Sequence, residues 1–69
     1  MDKIVINTNL TTKEYRLMYL WGAWVTKEVI FAENDAEAIF DADATFASCR
    51  LESFNVVLFC GNRAVKIYN

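Results

Sequence analysis

The chain has no histidine, no proline, only two glycines and only two cysteines in 69 residues. Each shortage excludes something. Without histidine there is no imidazole base and no Ser-His or Cys-His nucleophile pair. Two cysteines, Cys49 and Cys60, at that separation match no zinc-binding spacing, and in a reducing compartment they read as free, buried thiols rather than a disulfide. Without proline, low-complexity runs or internal repeats, nothing reads as a linker. The longest apolar stretch, from Leu17 to Val25, is too short to span a bilayer. The opening residues break into Asn and Thr after Ile4-Val5-Ile6, unlike a secretory leader. These features point to a cytoplasmic protein that makes no use of a membrane.

Positive charge is also scarce. Seven Lys and Arg stand against nine Asp and Glu, for a net charge of −2. A duplex-tracking protein carries a basic surplus to neutralise phosphates, so direct nucleic-acid binding is disfavoured. The acidic excess is equally too small for a polyanionic DNA mimic. What the chain has in quantity is hydrophobic surface: 55% of residues, 14% aromatic. A single domain of this size buries only about 60% of its unfolded surface and is held by roughly 3–5 kcal/mol. More apolar area is present than one small core hides, so part of it should face another molecule.

Periodicity organises residues 1–69 as one domain. Residues 1–12 read as an N-terminal arm or an edge strand, with Ile4-Val5-Ile6 ahead of an Asn7-Thr8-Asn9 turn. From Tyr15 to Trp21 the chain alternates, with Tyr15, Leu17, Tyr19 and Trp21 on one face and Arg16, Met18 and Leu20 on the other. Gly22-Ala23 makes a tight connection to a second strand, Trp24 to Ala32. In it Val25, Lys27, Val29 and Phe31 alternate with Trp24, Thr26, Glu28 and Ile30, and the two strands form a hairpin. Asn34 is a good helix N-cap, Glu37 stands where its carboxylate reaches back, and Asp35 complements the helix dipole. A Gly- and Pro-free segment from Asp35 to about Arg50 follows, with Ala36, Ile39, Phe40, Ala42, Phe46, Ala47 and Cys49 as its apolar face. Phe54 to Cys60 is a third strand. Gly61-Asn62 is a two-residue turn, and Ala64 to Tyr68 returns with Val65 and Ile67 opposite Ala64, Lys66 and Tyr68. The expected fold is therefore α+β: an antiparallel sheet of four strands, or five with the N-terminal run, and one helix on one face, in ββαββ order. The other sheet face is left open.

Candidate chemistry is thin. The acids Glu33, Asp35, Glu37, Asp41 and Asp43 fall where a helix start and its wet face place them, and a calcium loop needs a different spacing. No catalytic residue, metal site or cofactor is expected. Asp43 and Arg50 read as a solvated rim pair two turns apart. The aromatic group is the better lead. Tyr15, Tyr19, Trp21 and Trp24 crowd into ten residues, and Tyr and Trp dominate interface hot spots. They are the candidate partner anchors, with Arg16, Lys27, Glu28 and Lys66 as polar contacts. Packing beneath the helix and sheet-to-sheet homodimerisation would use the same side chains. A base-stacking platform for single-stranded nucleic acid is a further alternative, weakened by the acidic balance and by a third strand without Gly, Lys or Arg.

The stretch Val29-Ile30-Phe31-Ala32-Glu33-Asn34-Asp35-Ala36-Glu37-Ala38-Ile39, a strand leading through Ala-Glu-Asn-acid into a capped helix, resembles a hinge recurring in tiny bacterial and phage proteins. With the strand–strand–helix–strand–strand order of residues 13–69, the chain resembles small phage accessory proteins, anti-CRISPR proteins among them. That group shares no catalytic motif, so no residue role carries over. The resemblance implies a stoichiometric, non-catalytic inhibitor that occupies a host protein or nucleoprotein, such as a defence nuclease complex. Because this chain is only slightly acidic, a mixed or hydrophobic contact suits it better than charge mimicry.

Overall fold

The computed structural model describes residues 12–68; the arm or edge strand read in residues 1–12 lies almost wholly outside them. Strand β1 (Lys13–Trp21) turns at Gly22 into β2 (Ala23–Ala32). Helix α1 (Asp35–Ser48) and a short 3-10 turn (Leu51–Ser53) follow, then β3 (Val56–Cys60) and β4 (Arg63–Tyr68). The strands form one antiparallel sheet in the order β2-β1-β3-β4. The α+β fold in ββαββ order is the one the periodicity predicts. Because β1 lies between β2 and β3 and runs against both, β2 and β3 are parallel. The chain must therefore cross over β1 to join them, and α1 is that crossover, laid on one face of the sheet.

The helix begins where the local code places it. The Asn34 side chain accepts from the Glu37 N–H at 2.9 Å. Glu37 Oε1 reaches back to the Glu33 N–H at 3.1 Å, one residue earlier than a standard capping box. Small residues bring the helix close to the sheet: Ala38 and Ala42 are fully buried, with Ile39 and Phe46 half-buried beside them. Ala36, Ala47 and Cys49 are exposed and Phe40 is 82% exposed. The apolar face is thus rotated from the one expected, because close approach selects alanine rather than bulk. The helix stops at Ser48, two residues short of the expected end, with no cation in its last turn. Arg50 follows in the left-handed region at φ 55.

The core lies between α1 and the sheet. Tyr15 and Leu17 of β1, Ile30 and Ala32 of β2, Val56 and Leu58 of β3 and Tyr68 of β4 point into it, and Leu51 closes one end. Phe46 stacks on Tyr68 with ring centroids 4.7 Å apart. Two irregularities decide which residues face it. Leu17 pairs with Glu28 and Met18 with Thr26, so Lys27 is an extra residue, a β-bulge. Leu58 pairs with Lys66 and Phe59 with Ala64, so Val65 is another. The first bulge puts Trp24 and Thr26 on the same face as Val29 and Phe31, correcting the strict alternation expected for β2. The second turns Val65 toward the core while Ala64 and Ile67 share the far face.

Candidate protein-binding surface

The hairpin of β1 and β2 is longer than the rest of the sheet. β3 pairs with β1 from Arg16 to Tyr19, and one more bond joins the Leu20 N–H to the Asn55 carbonyl at 2.9 Å. Beyond that point, among the described residues, the two strands pair only with each other, closing at Gly22 with φ +75, a conformation that glycine adopts without strain. No charged residue occurs from Leu17 to Thr26. Here Trp21 is 72% exposed, with Leu20, Trp24 and Val25 also open to solvent.

The two tryptophans point to opposite sides. Trp21 lies on the helix side, its ring 6.5 Å from that of Phe54, which in turn sits 5.2 Å from Tyr19. Phe54, held by its N–H bond to the Leu51 carbonyl, thus forms a floor beneath Trp21. Trp24 lies on the helix-free side, edge-on to Phe59 at 5.9 Å, and with Met18, Gly61 and Asn62 lines a shallow depression.

The remaining candidate anchors fall elsewhere. Tyr15 is fully buried beneath the helix, so it cannot be an anchor on an open platform. Its hydroxyl donates to Asp35 Oδ1 at 2.8 Å, and Arg63 grips both oxygens of the same carboxylate at 3.1 Å. Glu28 is half-buried and accepts from Thr45 Oγ1, joining β2 to α1. Lys66 donates to Asp43 Oδ1 at 3.0 Å and lies 4.6 Å above the Tyr68 ring, whose hydroxyl donates to the same oxygen at 2.7 Å. Asp43 therefore joins helix to β4 and is not the rim partner of Arg50. Arg16 is on the helix-free face, paired with Glu14 at 2.6 Å, and Lys27 is exposed in its bulge. Tyr19 and Trp21 are brought together; Arg16 and Trp24 share the other face; Tyr15, Glu28 and Lys66 tie the layers to one another.

Electrostatics follow the same division. Arg63 first, then the Tyr15 hydroxyl, holds the Asp35 carboxyl below its ordinary range. Tyr68 and then Lys66 do the same for Asp43. Burial, reinforced by Asp35, pushes the Tyr15 hydroxyl up to about 12, and burial with Asp43 raises Tyr68. These shifts belong to interlayer contacts rather than to an open cleft. Among the described residues no group of three or more potential metal ligands is gathered. The cysteines are free, with Cys49 exposed and Cys60 half-buried rather than both buried. No helix among the described residues is long and apolar enough to cross a membrane.

Several exposed apolar residues fell outside the expected anchors: Leu20, Val29, Phe31, Phe40 and Ile67. Alternation along β2 already set Val29 and Phe31 opposite Ile30; the bulge that brings Trp24 to their side leaves no local mark in the sequence. Comparison with known proteins finds no matching family, no matching curated protein and no matching solved structure.

Proposed function

We propose that this chain is a non-catalytic protein-binding module whose anchor is Trp21 at the end of the β1–β2 hairpin, with Tyr19 and Phe54 as its support. The observation that carries this reading is an indole left 72% exposed on an uncharged hairpin end that neither α1 nor β3 covers. A rigid ring on a paired backbone loses little entropy on docking, and Trp is the residue type most enriched among interface hot spots. The partner this end fits is a protein with an uncharged apolar cleft. A phosphate backbone fits poorly, because no cation occurs from Leu17 to Thr26.

The resemblance to small phage anti-defence proteins gives this binding its biological sense: a stoichiometric inhibitor that blocks a host nuclease complex from the cytoplasm. Stoichiometry tests it. Purified host nuclease complexes titrated with the chain should lose activity in proportion to the chain bound, reach a plateau at a fixed ratio, and recover when the chain is removed. Lasting inactivation by a small fraction of an equivalent would mean turnover and would rule out a simple binder.

A further inference from the structure

Among the described residues, β2 and β4 are the two edges of the sheet. Each of them carries one extra residue, Lys27 in β2 and Val65 in β4. The inner pair β1–β3 runs in unbroken register, from Arg16 opposite Phe59 to Tyr19 opposite Val56. Both irregularities thus fall on edge strands. An edge strand offers a row of unpaired backbone N–H and C=O groups to any other strand. A bulge interrupts that row and twists the strand away from a flat partner.

Of the two edges, β2 has more to conceal. It is ten residues long against six for β4, and a usual strand has about 5–6. It has no proline, and Trp24, Val25, Thr26, Val29, Ile30 and Phe31 are all good strand formers. Its first half belongs to the uncharged run from Leu17 to Thr26, a composition that favours pairing between chains. Arg16 and Lys27 flank that run directly, where charged gatekeepers stand beside hydrophobic strands. The two cations differ in position. Arg16 is on an inner strand and is paired with Glu14. Lys27 is exposed on the edge and makes no ion pair among the described residues. The other charged residue of β2, Glu28, is half-buried and accepts from Thr45 of α1. Lys27 is therefore the one charge that β2 leaves to solvent.

We infer that Lys27 guards this edge: as the extra residue of the bulge and as an unpaired cation, it keeps β2 from pairing with β2 of a second copy. The register makes this role separable from folding. Leu17 pairs with Glu28 and Met18 with Thr26, so the residues on either side of Lys27 have their partners without it. Deleting Lys27 straightens the edge and leaves the other side chains on the faces they occupy, Trp24 beside Phe59 included. The role concerns the backbone edge of β2 and does not depend on Trp21 finding a partner.

Sedimentation velocity of the wild type, of the chain with Lys27 deleted and of Lys27→Ala tests it, with amide deuterium exchange read on the same samples. The deletion should form dimers or larger species at concentrations at least about tenfold below any that associate the wild type. In the associated form the amides of β2 should exchange more slowly than in the wild type, and those of β4 at an unchanged rate. Lys27→Ala keeps the bulge and loses the charge, and it should associate at concentrations between those of the other two. Should circular dichroism show the deletion unfolded, Lys27→Ala decides alone: it associates more readily than the wild type with β2 protected, or the inference falls. A folded deletion that associates no more readily than the wild type overturns it. So does association that leaves the β2 amides unprotected, or a wild type that already pairs through β2.

Discussion

At the scale of single residues, the same arrangement occurs twice. A tyrosine on the sheet, an aspartate on the helix and a cation on β4 meet as Tyr15–Asp35–Arg63 and as Tyr68–Asp43–Lys66. In each, the carboxylate is stabilised as an anion and the phenol as a neutral donor. The pH dependence has opposite signs for the two groups. An aspartate with a lowered folded pKa contributes stability above its ordinary value of 3.8 and loses it as pH falls through the folded value. A tyrosine with a raised folded pKa contributes below 10.0 and loses it as pH rises toward about 12 for Tyr15. Urea midpoints measured across pH should therefore fall at both extremes, and Asp43→Asn should flatten the acid limb. Tyr68→Phe keeps the ring stacked on Phe46 but removes the hydroxyl, at an expected cost of about 1 kcal/mol. Leu17→Ala, which opens a cavity under the helix, should cost about 2–5 kcal/mol in the same assay.

At the scale of elements, what could be read in advance follows a physical rule. The start of α1 was legible because Asn34, Asp35 and Glu37 act on backbone groups within one turn of themselves. The Gly61-Asn62 turn was legible because only glycine enters that φ cheaply, and Gly61 sits at +63. Asn34→Ala should cost about 1 kcal/mol. Gly61→Ala should cost about 1–2 kcal/mol from backbone strain alone, since no atom lies within 4 Å of the added carbon. Thermal or urea denaturation checks both. The bulges at Lys27 and Val65 were not legible, because a bulge depends on how two strands register against each other. Each moved side chains across the sheet: Trp24 joined Phe31, and Val65 turned inward. The helix face was misplaced for a related reason. Hydrophobic bulk pointed to Phe40, while the crossover over β1 needed the small Ala38 against the strands beside the expected Ala42. Tyr15 was a candidate anchor by its residue type alone; its burial follows from which sheet face the helix covers, which is a tertiary choice.

At the scale of the whole molecule, one short helix shelters half of a four-stranded sheet, and the aromatic residues divide accordingly. Tyr15 and Tyr68 hold the layers together, Trp24 and Phe31 lie on the bare face, and Trp21 stands at the end of the hairpin. Removing the Trp21 ring takes away surface that the core does not use. Trp21→Ala should therefore shift the urea midpoint far less than Leu17→Ala, and the comparison separates a recognition residue from a packing one. The proposed binding role rests most heavily on that ring. The direct test is the affinity of a captured partner, measured by titration with purified wild type, Trp21→Ala and Phe40→Ala, the last a still more exposed aromatic, on α1. Trp21→Ala should bind at least about tenfold more weakly, as expected of a central hot spot, while Phe40→Ala matches wild type; equal affinity for Trp21→Ala and wild type would contradict the assignment.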